Sequence, residues 1–419
     1  MKAIVVVGDG MADQPLEELD YRTPLESAGA THMDWLASNG VSGLLCSKLP
    51  GNIPESDTAN LAILGYDPND VYTGRGGFEA VGAGLQLTET DVAFRCDFST
   101  VNENFIVVDE RAGRAKEEAA ELAKVLQGLR LKALPEIEVI FRQALGFKGV
   151  LILRGEGLSA NVITHPPRLG HRADLIKPLD NSVEAKRTCE ALREIVKTSH
   201  LLLKDHPINK RRRAAGKPEA NVVVPWGAGK RPHLQPFHKK YNVKAACVAA
   251  ASLIKGMARL AGMKVADVPG ATGEVDTDTM AKAKAALEAL KSNDIVIVHV
   301  EGPDEASHDG DVYGKLSIIK KIDAMIGFIL EHVNFEETFL ALLSDHATST
   351  KLRRHVSDPV PITIANAGIL HDDVSHFNEK AAAKGGLGRI QHIDLMPTLF
   401  SLMGYQTTRI AGAGNYEYE

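Results

Sequence analysis

Residues 295–308 read Ile-Val-Ile-Val-His-Val-Glu-Gly-Pro-Asp-Glu-Ala-Ser-His. The β-branched run describes a buried strand, Glu301-Gly302-Pro303 ends it, and Asp304 and His308 follow four residues apart, close enough to meet on one helical turn. Two other stretches repeat the pattern. Ala3 to Val7 delivers Asp9, and Phe339 to Leu343 stops at Ser344-Asp345-His346. Apolar strands that each end in a metal-type ligand imply one sheet with a site along its carboxyl edge, where open α/β sheets bind ligands. His355 supplies one more imidazole. Carboxylates mixed with imidazoles suit a divalent ion such as Mn²⁺ or Zn²⁺ better than an all-oxygen calcium cage. Taken singly, Asp9 before Gly10 reads as a turn residue, and His308 and His355 read as hydrogen-bonded histidines. The repeated strand-then-ligand order favours the metal site.

Outward from these strands, helix and strand patterns alternate. That argues for an α/β class with a mostly parallel sheet flanked by helices. The spacing predicts helices over Lys116–Leu129 and over the Ala-rich Asp278–Leu290 segment. The ligands fall only up to Ser56 or from Asp304 onward. The middle, rich in Arg, Lys and His, carries no comparable cluster. A discontinuous core of residues 1–75 and 241–419 is therefore expected, closed across an inserted α+β substrate-binding domain at 76–240. A chain of 419 residues exceeds the usual single-core size, in keeping with two domains.

Composition narrows the function. A net charge of −6 gives no general basic field for nucleic acid, Lys210–Arg213 being a local exception. The four cysteines lie far apart, with neither zinc-ribbon spacing nor a disulfide framework. The start, Met1-Lys2 and a short strand into Gly8-Asp9-Gly10, is too brief and too acidic for a signal peptide, and Ala245–Ile254 is too short to span a bilayer. A cytoplasmic enzyme without a nucleic-acid or membrane partner is expected, and nothing fixes its oligomeric state.

Ser56 sits in Pro54-Glu55-Ser56-Asp57-Thr58-Ala59-Asn60-Leu61, where polar residues precede an expected helix. It reads as an N-cap, or as a hydroxyl that meets phosphate at a helix N-terminus beside a metal. The two readings are compatible, and the second makes Ser56 a nucleophile.

With Gly8-Asp9-Gly10-Met11-Ala12-Asp13, Ser56–Leu61, Leu64-Gly65-Tyr66-Asp67-Pro68, Tyr72–Gly76, Ala93-Phe94-Arg95, Arg111-Ala112-Gly113-Arg114, His206–Asn209, Pro269–Gly273 and His355 before Asp358–Pro361 on the page, the chain resembles the archaeal type of cofactor-independent phosphoglycerate mutase, within the alkaline phosphatase superfamily. The resemblance runs nearly the whole length. It implies an alkaline-phosphatase-like core with two divalent ions, Mn²⁺ foremost and Zn²⁺, Co²⁺ or Mg²⁺ as alternatives. Asp9, Ser56, Asp345 and His346 would hold one ion, and Asp304, His308 and His355 the other. It further implies that Ser56 takes the phosphoryl group from one hydroxyl of phosphoglycerate and returns it to the other, interconverting 3-phosphoglycerate and 2-phosphoglycerate. Enclosure would protect the phosphoserine from water.

The inserted domain would supply cations for this small phosphorylated three-carbon acid: Arg95, Arg212 and Lys230, with Arg75 at the site or its hinge and Asp97 as an acid/base. Three positions depart from the family pattern. Asp97 stands where many relatives carry Asn, Trp226 where archaeal mutases tend to carry Arg, and Ala347–Thr350 replaces a proline-containing turn. The Trp form resembles a bacterial subgroup of homoserine-kinase-like phosphotransferases, which is the alternative reading. The chain has no Walker-type loop.

Overall fold

The computed structural model describes residues 1–47 and 53–405. The chain forms two compact units, residues 1–70, 236–248 and 266–419 in the first, and 71–235 with 249–265 in the second.

Seven strands of the first unit's main sheet run in the order Ala245–Val248, Ile295–Val300, Lys2–Gly8, Thr338–Ser344, Val360–Ala365, Gly40–Cys46, Gly388–Gln391. The first four are mutually parallel; Val360–Ala365 is antiparallel to both neighbours, and Gly388–Gln391 pairs parallel with Gly40–Cys46. A mostly parallel sheet is thus present as expected. Its central strands read as near-continuous Val, Ile and Leu because both faces are covered. Ile4 and Val6 pack with Val296, Val298, Leu340 and Leu342 against Ile318, Ile322, Met325 and Ile329 of the helix Val312–His332. The helix expected at 278–290 runs Thr279–Ser292, capped by the Asp278 side chain on the Ala281 N–H.

Register places the chemistry. Gly8 lies opposite Val300 on one side and Ser344 on the other. The next residues, Asp9, Glu301 and Asp345, therefore leave the sheet at one common edge.

The second unit is built on an antiparallel sheet in the order Val107–Asp109, Val92–Val101, Lys148–Arg154, Glu138–Leu145, with Val222–Gly229 also paired to Val92–Val101. Helices Glu117–Leu126 and Val183–Leu203 contribute to its core, which gathers Phe94, Phe98, Leu122, Phe141, Leu192 and Ile195. The sequence drew an insert at 76–240, and the compact unit also takes in 249–265. The reason is a close helix pair. A Cβ on Gly82 would come within 1.6 Å of the Ser252 carbonyl oxygen, and one on Gly256 within 1.9 Å of the Phe78 oxygen. Helices Arg75–Gly82 and Ser252–Leu260 thus touch backbone to backbone, a contact that the glycines permit and that sequence periodicity does not display.

Candidate metal centre and active site

All seven expected ligands lie in the first unit. Asp9 follows the Lys2–Gly8 strand directly, and Asp345 and His346 follow Thr338–Ser344. Asp304 and His308 sit on one face of the helix Gly302–Asp309, with His308 Nε2 3.5 Å from Asp304 Oδ2. His355 lies in a two-stranded ribbon, Ala347–Ser349 with Arg354–Val356. Ser56 is the first residue of the helix Ser56–Ile63, and Glu55 is its N-cap. The Ser56 hydroxyl therefore does not cap the helix. It lies 3.0 Å from His346 Nε2.

These side chains form two overlapping triads. Asp9, Asp345 and His346 bring ligand atoms within 4.8 Å of one another, and so do Asp304, His346 and His355. His346 is shared, whereas the expectation assigned it to one ion. His346 Nε2 is 3.1 Å from Asp9 Oδ1 and 3.7 Å from Asp345 Oδ2; His355 Nε2 is 3.4 Å from Asp304 Oδ1 and 3.2 Å from His308 Nε2.

The donor chemistry fits divalent metal. Asp9 Oδ1 is buried without a hydrogen-bond partner, and the His308 and His355 nitrogens face each other at a distance that needs a shared proton or cation. Protonation of the protein alone carries the strain. Burial, with Asp345 adding to it, pushes Asp9 well above the usual carboxylate range. Burial also opposes ionisation of Asp304, yet His308 and His355 hold it well below that range. His346 is lowered by burial to about 4, against the pull of Asp345. Burial would lower His355 too, but its hydrogen bonds to Asp304 and Glu55 lift it to about 10. Three carboxylates converge here, and Asp9 Oδ1 among them has no hydrogen-bond donor, an arrangement that a cation relieves.

Around the ligands stand orienting groups that sequence reading passed over. Asn60 donates to Asp345 Oδ2 at 2.7 Å, and the Gly10 N–H donates to Asp345 Oδ1 at 3.1 Å. His392 bridges the Cys46 and Asp345 carbonyl oxygens. The Thr348 hydroxyl contacts both Asp304 and His346. His299 is buried with Nε2 3.5 Å from Asp9 Oδ2. Asn60 could have been found, since it follows Ser56 by one helical turn. His299 reads as strand interior, and His392 and Thr348 have no spacing to a ligand that marks them.

Residues 1–402 match the family model of the metalloenzyme superfamily. A 2,3-bisphosphoglycerate-independent phosphoglycerate mutase of Methanocaldococcus jannaschii is 47% identical over 96% of this chain and 97% of its own length. One of Methanothermobacter thermautotrophicus is 43% identical over 96% and 98%. The chain belongs to this mutase family. Two solved structures agree: a Pyrococcus horikoshii protein with TM-score 0.80 and 37% identity, covering 98% of this chain and 99% of that one, and the cofactor-independent phosphoglycerate mutase of Thermoplasma acidophilum with TM-score 0.60 and 30% identity, covering 96% and 100%. Among the described residues no helix is long and apolar enough to cross a membrane.

The remaining expected site residues of this family member lie in the second unit, and they divide. Arg75, Arg95 and Asp97 join one buried cluster organised by Glu79. Glu79 Oε1 accepts from Arg75 Nε at 3.1 Å and Arg95 Nη1 at 3.2 Å, and its other oxygen accepts from the Ser252 hydroxyl. Asp97 accepts from Arg95 Nε at 2.7 Å and from Trp226 Nε1 at 2.9 Å. Both guanidinium carbons lie over the Trp226 ring, 5.1 and 5.4 Å from its centre. Burial opposes the Glu79 charge, but Arg95 and Arg75 hold its pKa at about 2.

Lys230 donates to the Thr90 carbonyl oxygen at 3.3 Å, and burial lowers its pKa. Arg212 does not join the cluster. Its guanidinium donates to the Pro218 and Ala112 carbonyl oxygens, both at 2.7 Å, and pairs with Glu118 at 3.0 Å.

Proposed function

We propose that the chain interconverts 3-phosphoglycerate and 2-phosphoglycerate without bisphosphoglycerate, through a phosphoserine on Ser56. The observation that carries this reading is the Ser56 hydroxyl 3.0 Å from His346 Nε2, the histidine that groups with Asp9 and Asp345 at the ends of adjacent parallel strands. Relatives at 43–47% identity bear the mutase name.

The donor set supports two divalent ions, Mn²⁺ foremost, held by Asp9, Asp345 and His346 and by Asp304, His308 and His355. When bound, they would lower the pKa of the serine hydroxyl and offset charge on the transferred group. Ser56 Oγ gives up its proton and attacks phosphorus as the bond to the substrate oxygen breaks, and the departing oxygen takes up a proton in turn and leaves as the glycerate hydroxyl. Glycerate then presents its other hydroxyl, the new O–P bond forms as the Ser56 O–P bond breaks, and Ser56 regains its proton. Helix N-terminal N–H groups at Ser56 suit the phosphate oxygens.

Arg75, Arg95 and Lys230 are the residues proposed to bind the substrate anion. Arg212 is withdrawn from that set because its bonds are spent on the protein's own carbonyls and Glu118. Asp97 is proposed to orient Arg95, since both of its oxygens accept hydrogen bonds. The ³¹P NMR spectrum of Mn²⁺-loaded protein, quenched and freed of the ion after incubation with 3-phosphoglycerate, tests the reading. Growth of 2-phosphoglycerate to a constant ratio is expected; release of inorganic phosphate alone would make the protein a phosphatase and end the mutase reading.

A further inference from the structure

The short strand Ala347–Ser349 carries a buried hydroxyl between the two ligand triads. Thr348 Oγ1 lies 2.7 Å from Asp304 Oδ1 and 3.1 Å from His346 Nδ1, and its side chain is fully buried. The position is fixed from several directions. Thr348 stands opposite His355 in the ribbon; its N–H donates to the Ala12 carbonyl oxygen at 3.1 Å, and its own carbonyl accepts from buried Lys315 Nζ at 2.9 Å. Gly10 leaves the room it needs, because a Cβ there would come within 2.5 Å of the hydroxyl.

Proton counting then fixes an order. A carboxylate in the form that ligates a cation is deprotonated and only accepts, and Asp304 Oδ1 is the acceptor nearest the hydroxyl. The single Thr348 proton therefore goes to Asp304. The contact with His346 must run the other way, from an imidazole Nδ1–H to the hydroxyl oxygen. A neutral imidazole protonated at Nδ1 has its lone pair on Nε2, and that is the atom aimed at Asp9, Asp345 and Ser56.

We propose that Thr348 is a positioning residue that sets the His346 tautomer and ties the two ligand triads together through the chain His346 Nδ1–H to Thr348 to Asp304. Partners of this kind set the orientation and basicity of metal ligands, and their loss typically costs about 10- to 100-fold in metal affinity. The inference rests on the metal reading above, and the test separates the two.

Mn²⁺ is titrated by calorimetry into metal-free wild type, Thr348→Val and Thr348→Ser, with free Mn²⁺ counted by electron paramagnetic resonance. Wild type and Thr348→Ser should bind alike, and Thr348→Val should bind about 10- to 100-fold more weakly. Equal binding by wild type and Thr348→Val overturns the proposal and leaves the metal reading intact. A wild type that takes up no Mn²⁺ ends both. Because Val places an apolar group where a hydroxyl was satisfied, an independent measurement uses wild type alone. Nitrogen-15 histidine spectra of the Zn²⁺-loaded protein should show His346 with a proton on Nδ1 and metal on Nε2; the reverse assignment overturns the proposal.

Discussion

The two units hold their charged groups in opposite ways. In the first, Asp9, Asp304 and Asp345 converge with His346 and His355, and the excess of acceptors calls for a cation from outside. In the second, Arg75, Arg95, Glu79 and Asp97 pair among themselves around the Trp226 ring, and the formal charges of those four cancel. The first arrangement is incomplete without an ion and suits chemistry at phosphorus. The second pairs its charges within the protein, and an anion bound there would meet guanidiniums already held in a fixed geometry.

The largest expected effect tests the first half of that contrast. Ser56→Ala should cut turnover by about 10⁴-fold or more, as removal of a covalent nucleophile does, while Mn²⁺ affinity falls far less. Chelation should abolish turnover of wild type, and Mn²⁺ should restore it. Turnover that survives Ser56→Ala would remove the phosphoserine and with it the purpose of the cation-hungry site.

Next in size is a stability effect that separates charges serving the fold from charges serving substrate. Arg212→Ala strands the Pro218 and Ala112 carbonyls and Glu118, and it should destabilise the second unit by about 2–4 kcal/mol in urea denaturation. The KM of the folded fraction should not change. A raised KM at unaltered stability would return Arg212 to the substrate site.

Legibility divides along the same line. Five of the candidate ligands carried their place in local pattern: Asp9, Asp345 and His346 sit one or two residues beyond an apolar strand, Asp304 four residues beyond one, and His308 one helical turn after Asp304. Glu79 carried none. Its meaning depends on Arg95, sixteen residues away and on a different element, and on Ser252, which comes from the segment the sequence left outside the insert. Arg212 carried no mark of its contacts either, because a basic run looks alike whether it faces solvent, substrate or its own backbone. Asp97 and Trp226, read from the sequence as two separate features, meet in one hydrogen bond.

A smaller effect follows from the Glu79 carboxylate. Burial works against its charge, but Arg95 and Arg75 hold its pKa at about 2 against an ordinary 4.5. A depressed carboxyl contributes stability that is complete above the ordinary value and lost as pH falls from there towards about 2. Acid unfolding of Glu79→Gln should therefore be flatter than that of wild type in this window, by up to about 1.4 kcal/mol per pH unit. Parallel acid limbs would place the shift in the unfolded chain or show the cluster open.

The smallest effect asks whether the self-paired cluster is there for substrate at all. Trp226→Phe keeps an aromatic face beneath Arg75 and Arg95 but removes the N–H that Asp97 Oδ2 accepts. One hydrogen bond to a carboxylate is worth about 1.5–3 kcal/mol at most, and water replaces part of it at a half-buried site, so a change of about 3- to 10-fold is expected. Its form decides more than its size. If the guanidiniums bind the substrate anion, the loss appears in KM, because a loosened Asp97 lets Arg95 wander while the chemistry at Ser56 is untouched. If the cluster only holds the fold, KM stays and the denaturation midpoint falls. Asp97→Asn should mimic the substitution on the Arg95 side, since an amide oxygen still accepts from one donor but no longer balances a cation. Agreement of the two variants in KM would show that the neutral cluster is a binding device, and a split between them would assign the work to Arg95 alone.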